Sequence, residues 1–370
     1  MSLHIPTTIA DFDAAWLSDA LDHAGVATAP VTSVDAEPIA VGEGFLGELA
    51  RLHLSYATPG AGPATAIAKI PTTDGGLKPL GTMLGVYERE SRFYDEIAPR
   101  LDVRVPAVWF NGADPATETY ALLMEDVGHF RRGDHLDGAD LADARAVVRA
   151  AAKLHARWWD EPDLLAMEWV PPMNSPLNMS LQGIYEASWP LVMDRYGHLY
   201  PAELVAALEG FIPRISEFLV GWAEISRTLT HNDFRLDNLL FDDRADADPE
   251  VVVLDFQVVG RGDGSGDLAP FLGCNLDTDL RRAHEMDLMR LYHDTMAEAG
   301  VGFSNFDDLV RQTDTAHLFW LVNWGNNAVT ADAANERAVS LMDTVVSRYV
   351  ATVVDRDSIR YVDDLAWRPS

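Results

Sequence analysis

The densest chemistry in the sequence lies in one run between apolar neighbours, Thr230-His231-Asn232-Asp233-Phe234-Arg235-Leu236-Asp237-Asn238. Asp255 and Phe256 follow 17 residues after Asn238 and close the apolar run Val251–Leu254. The order is His-x-Asp-x4-Asn, then Asp-Phe. Moving a phosphoryl group onto a hydroxyl needs a carboxylate beside the attacking oxygen and hard oxygen ligands that hold magnesium against the phosphates. Asp233 can accept or orient the hydroxyl proton, Asn238 and Asp255 can hold Mg2+, and His231 reads as a packing residue. A polar loop whose Asp and Asn only satisfy turn backbone would account for the first cluster. It would not also place Asp-Phe at the end of a strand.

A second concentration lies nearer the start of the chain. Only three of the 28 basic residues are lysines, Lys69, Lys78 and Lys153, and Lys69 stands inside an apolar strand, Ala66-Ile67-Ala68-Lys69-Ile70. A solvent-facing strand lysine is the alternative reading. Upstream, Gly42, Gly44 and Gly47 fit Gly-x-Gly-x-x-Gly, a spacing that lets backbone approach phosphates. Glycines between two strands also make ordinary hairpins. A dinucleotide fold would need a helix after the glycines and an acid about 20 residues on, whereas a strand is expected after Gly47.

HNDFRLDNLLF followed by VVVLDFQ resembles the aminoglycoside phosphotransferase and choline kinase superfamily, whose members are similar in fold to protein kinases. The nearer likeness is to its ecdysteroid-kinase-like branch, through ERESRFYDEI, ALLMEDVG, AAKLHARWW and GSGDLAPFL. The resemblance implies ATP or GTP as phosphoryl donor, with Lys69 on its α- and β-phosphates and the three glycines in a flap above them. It implies Glu90 as the ion-pair partner of Lys69, with Glu88 competing. Met124, Glu125 and Val127 would lie in the connection between lobes, where backbone meets the adenine edge. Asp267 would brace the catalytic loop, or else cap a helix. Gln257 stands where protein kinases carry Gly, and no Ala-Pro-Glu segment follows, so a protein substrate is disfavoured. Asn232 replaces the small or basic residue usual after the histidine.

These residues need particular elements to position them. Thr8–Gly25 reads as an amphipathic cap helix, with Ile9, Phe12, Trp16, Leu17 and Leu21 at helical spacing. Strand-like runs follow near Val34–Val41, Glu48–Tyr56 and Thr65–Ile70, the simplest arrangement being an antiparallel meander. After a loop at 72–81 come a helix over Met83–Ile97 and strands at Ala107–Phe110 and Tyr120–Met124. Beyond Glu125 the pattern is mostly helical: one stripe through Leu141, Val147, Val148, Leu154 and Trp158, then helices near 202–224, 277–299 and 306–351. His155 reads as a buried structural histidine. The tryptophans at 158, 159, 169 and 189 either line an acceptor pocket or fill the core. The acidic turn Asp242–Glu250 reads as a solvated hairpin tip.

The expected fold is therefore α+β and two-lobed: a small antiparallel-sheet lobe over 1–124 that begins with the helix at 8–25, a hinge at 125–128, and a helical lobe over 129–370. The net charge of −30, from 58 acids against 28 bases, disfavours nucleic acid and anionic membrane surfaces as partners. One cysteine, Cys274, excludes an internal disulfide and a cysteine-rich zinc site. No signal peptide or membrane-length apolar run is evident, and a cytoplasmic location is expected. The function expected is Mg2+-dependent phosphoryl transfer from ATP or GTP to a small hydroxyl-bearing molecule. A nucleotide-binding pseudokinase without turnover is the alternative, weighed against the presence of every catalytic position. A metal-dependent hydrolase built on His231, Asp233 and Asp255 would lack further ligands and leave Lys69 without a role.

Overall fold

The computed structural model describes residues 3–39, 46–225, 227–244, 249–331 and 335–365. The chain divides into two compact units: Met1–His129 together with Val253–Val258, and Phe130–Val252 together with Val259–Ser370.

The first unit is built on an antiparallel sheet of β1 (Val31–Ile39), β2 (Gly47–Tyr56), β3 (Thr65–Pro71), β4 (Val108–Asp114) and β5 (Thr119–Glu125). The first three strands form a meander, and β5 then inserts next to β3, giving the order β1-β2-β3-β5-β4. Successive residues of a strand face opposite sides. On β3, Ala66, Ala68 and Ile70 join Ala121 and Leu123 of β5 in a core that the N-terminal helix covers with Trp16, Leu17 and Leu21. Ile67 and Lys69, on the same strand, fall on the other face.

Helix Ala14–His23 is shorter than the sequence pattern suggests. The Asp13 carboxylate caps it by accepting from the Trp16 N–H, a separate 3-10 turn occupies Ile9–Asp11, and Gly25 ends the segment at φ +71°. The helix expected over Met83–Ile97 is also divided. Helix Leu77–Leu84 begins inside the anticipated loop, and Gly85 takes φ +68°, a conformation that glycine adopts without steric cost. Helix Val86–Arg92 then runs into a π-helical turn at Phe93–Ile97.

The second unit carries a three-stranded sheet, β6 (Arg131–Arg132), β8 (Leu239–Asp242) and β9 (Glu250–Val253), and a two-stranded one, β7 (Thr228–Thr230) with β10 (Gly260–Gly262). Its core is helical. Helix Leu141–Trp158 packs on Thr278–Glu298, and Phe306–Thr330 on Glu336–Asp355. The region near 202–224 is two helices, Ala202–Phe211 and Ile215–Glu224, joined by a 3-10 turn that contains Pro213. Helix Ser265–Cys274 is buried along its whole length, so it shows no polar face from which periodicity could reveal it. Trp158 is buried, and Trp189 packs on the helical core. No helix among the described residues is long and apolar enough to cross a membrane.

Candidate active site

In the first unit, strand alternation turns Lys69 toward helix Val86–Arg92. Its Nζ donates to Glu90 Oε1 at 2.6 Å and to Asp255 Oδ1 at 3.2 Å. Glu88 lies elsewhere, 3.4 Å from Arg92 one turn on. Burial works against the Lys69 ammonium, but the Asp255 and Glu90 carboxylates outweigh it and hold its pKa above the ordinary value. Burial lifts the Glu90 carboxyl, with Lys69 pulling it back.

Asp255 is one of the few non-glycine residues at positive φ, +64°, a conformation that costs free energy and persists only where neighbours over-determine it. Phe256 stacks on Phe93 with ring centroids 3.7 Å apart and planes within 9°, and both rings are fully buried. The Val253 N–H donates to Arg104 O at 2.9 Å. Gln257 Nε2 donates to Asp255 Oδ2 at 3.1 Å, so the side chain that replaces the protein-kinase glycine orients the carboxylate.

Gly47 opens β2, where an added Cβ would lie 3.5 Å from Lys69 Cε. Gly42 and Gly44 lie outside the described residues. Met124 pairs with Ile67 and Val108 at the end of β5. Glu125 Oε1 accepts from Arg104 at 2.7 Å, which makes it a strut at the strand end, and Val127 is buried. Asp126 is held by Arg51 at 2.7 Å and by the Gly128 N–H at 2.9 Å; these overcome its burial and lower its pKa.

The second unit holds the loop after β7, fixed at both ends. Asp267 Oδ2 accepts from the His231 N–H and Oδ1 from the Asn232 N–H, each at 2.7 Å. Asp267 therefore braces the loop and caps nothing; its helix has Gly264 at the N-cap. His155 Nε2 lies 3.1 Å from Asp267 Oδ2 and Nδ1 lies 2.7 Å from Tyr292 Oη, all three residues being fully buried. Gly264, at φ +85°, admits this chain, since a Cβ there would collide with Tyr292 Oη. At the other end the Leu236 N–H donates to the buried Asn275 side chain at 2.9 Å.

Asn232 adopts φ +63°, a left-handed conformation that Asn tolerates better than most residues. This accounts for an asparagine at that position. His231 is buried, with Nδ1 accepting the Asp233 N–H at 3.2 Å. Asn238 Nδ2 donates to the Asp233 carbonyl at 2.9 Å and to its Oδ2 at 2.8 Å. Arg235 Nε forms an ion pair with Asp233 Oδ1 at 3.0 Å.

The model of the ecdysteroid kinase-like family matches residues 41–159 and 166–300. The chain belongs to that family. The matched region takes in the whole of both constellations, from the glycine segment to Asn275. Solved structures share the protein-kinase-like fold at low identity. One, from Ralstonia eutropha JMP134 and assigned as an aminoglycoside phosphotransferase, is 18% identical, with 94% of this chain and 97% of that one covered and a TM-score of 0.57. The GDP complex of aminoglycoside 2'-phosphotransferase-IIIa is 14% identical over 87% and 93%, with a TM-score of 0.53. A related complex with GDP and kanamycin is 13% identical over 93% and 98%, with a TM-score of 0.51. No match was found among curated proteins.

In this ecdysteroid kinase-like chain the residues that sequence reasoning passed over are Arg235, Asn275 and Arg104. Arg235 carried a readable signal, a cation two positions after the candidate base. Asn275 and Arg104 carried none, because both act on residues distant in sequence.

Proposed function

We propose that the protein is a Mg2+-dependent kinase of small molecules, transferring the γ-phosphoryl group of ATP or GTP to an acceptor hydroxyl. The observation that carries this reading is the Lys69–Glu90–Asp255 triad. A largely buried lysine held charged between two carboxylates is costly to maintain and is suited to grip phosphate. Lys69 would bind the nucleotide's α- and β-phosphates, oriented by Glu90. The backbone at Gly42, Gly44 and Gly47 would cover the phosphates, and Met124, Glu125 and Val127 would offer backbone groups to the base.

Asn238 and Asp255 would hold magnesium. The chemistry fits: the Asn238 amide nitrogen is committed to Asp233, which leaves Oδ1 as a donor oxygen, and Asp255 supplies carboxylate oxygen. Hard oxygen ligands of this kind suit the ion. When bound, Mg2+ offsets charge on the transferring phosphates.

Asp233 would take or orient the acceptor's hydroxyl proton. Asn238 donates to its Oδ2 and the Arg235 guanidinium pairs with its Oδ1, so the carboxylate is held in one orientation. The acceptor is a small neutral or cationic alcohol, since a chain of net charge −30 repels polyanions. The same charge argues against nucleic acid and membrane partners, and nucleotide supply agrees with a cytoplasmic location.

The test is single-turnover transfer in Asp233→Asn with nucleotide saturating, once a screen of hydroxylated metabolites, aminoglycosides, macrolides, choline analogues and steroids supplies an acceptor. General-base contributions are about 10²–10⁴-fold, so the chemical step should fall by that order while nucleotide affinity holds. Transfer at the parental rate would overturn the assignment.

A further inference from the structure

In the first unit, the segment Asp126–Gly128 that follows β5 is tied back to β2 by a contact to which the proposed chemistry gives no part. Arg51 Nε donates to Asp126 Oδ2 at 2.7 Å, the Gly128 N–H donates to Asp126 Oδ1 at 2.9 Å, and the Thr65 hydroxyl bonds the same carboxylate. The Asp126 side chain is largely buried. Glu37, itself beside His53, lies 3.8 Å from Arg51 Nη1. Gly128 leaves no room for a Cβ, which would collide with Arg51 Nη2 and crowd Asp126 Oδ1. Ala50 and Leu52 face the core, so Arg51 projects from the other face of β2. There it stands opposite Ile67, two residues along β3 from Lys69. The clasp is therefore on the face that carries Lys69.

The Glu125 N–H is spent on the Ala107 carbonyl at 2.8 Å, and the Gly128 N–H on Asp126. Between them, the N–H groups of Asp126 and Val127 make no hydrogen bond among the described residues. Main-chain groups left out of sheet and turn pairing need water or a ligand. Folding the Asp126 carboxylate back onto Gly128 fixes the turn, and the Arg51 guanidinium fixes the carboxylate. The two donors thus keep one orientation relative to Lys69. A nucleobase offers its edge as a row of hydrogen-bonding groups, and a backbone set in advance binds such an edge without a further ordering cost. We propose that Arg51 is a positioning residue for the nucleobase: through Asp126 it sets the backbone of Asp126–Gly128 against the edge of the base, and it has no part in holding the phosphates. The proposal rests on the reading of this unit as the nucleotide site.

The probes are ATP and GTP, with tripolyphosphate as the control that lacks a nucleoside, titrated by calorimetry at one magnesium concentration without acceptor. Arg51→Met should weaken the better-bound nucleotide by about tenfold or more, the worth of one well-placed hydrogen bond, and leave tripolyphosphate near parental affinity. Damage to the fold would weaken all three alike. Arg51→Lys keeps a cation within reach of Asp126 and should recover most of the loss. Gly128→Ala displaces only the tip of the Arg51 side chain and should show the same selective loss; this variant decides the matter if Arg51→Met does not fold. Parental nucleotide affinity in the folded variants, or equal weakening of nucleotide and tripolyphosphate, would overturn the proposal. A parent protein that binds tripolyphosphate as tightly as nucleotide would overturn it while leaving the phosphate site in place. A parent that binds none of the three would refute the nucleotide reading and the proposal with it.

Discussion

Lys69 Nζ lies 3.2 Å from Asp255 Oδ1 across 186 residues of sequence, while the same ammonium holds Glu90 at 2.6 Å. One cation thus sits between two carboxylates and offsets part of their mutual repulsion. Lys69→Met leaves both without a counter-charge. It should cost about 3 kcal/mol of stability, the low end for breaking a buried pair because Asp255 keeps some solvent. Turnover should be lost as well. Lys78→Ala is the control, expected within about 0.5 kcal/mol of the parent. Chemical denaturation of the three proteins checks this, and similar midpoints for both variants would show that the triad carries no stability.

Asp255→Ala should abolish turnover and, in calorimetry, remove the part of nucleotide affinity that depends on magnesium. Affinity without the metal should change little, since Lys69 and Glu90 remain. An unchanged magnesium increment would remove Asp255 from the ligand set.

Asp267→Asn replaces one of two acceptor oxygens by a donor, so one N–H of the His231–Asn232 pair faces an amide NH2. The expected loss is about 1–3 kcal/mol of stability. If the bracing positions Asp233, kcat should fall at least tenfold while KM for nucleotide stays near parental. A stability loss with kcat intact would make Asp267 a fold residue only.

Burial pushes the His135 imidazole down to about 3, with the Arg235 and Arg348 guanidiniums adding to it, and burial likewise drives His317 well below its usual value. Below about pH 6.5 the unfolded chain takes protons that the folded chain refuses. The stability these neutral rings contribute is therefore complete above that pH and drains away as pH falls toward 3. Each ring adds up to about 1.4 kcal/mol per pH unit to the slope. Urea unfolding at pH 7.0, 6.0 and 5.0 should show a shallower decline in His135→Leu than in the parent. Parallel slopes would mean that folding does not lower the His135 pKa.

Much of this was legible in the chain itself. The spacing of His231, Asp233, Asn238, Asp255 and Phe256 pointed to the family and to the chemistry proposed for it, because phosphoryl transfer constrains residue type and order within short segments. The two-residue period of β3 put Lys69 opposite Ala68 and Ile70 in facing, since side-chain alternation is a local property of extended backbone. Other features needed the folded chain. Glu90 meets Lys69 and Glu88 meets Arg92 because the two lie on opposite sides of helix Val86–Arg92, and which side faces β3 is set by how the helix packs. Helix Ser265–Cys274 gave no periodic signal, being buried on every side. Asp255 follows the second unit's strands in sequence yet packs in the first, where Phe256 finds Phe93. Asp267 and Asn275 hold the ends of a loop some 36 to 39 residues away in sequence. Such partners are selected by burial and hydrogen-bond demand in three dimensions, which residue order alone does not encode.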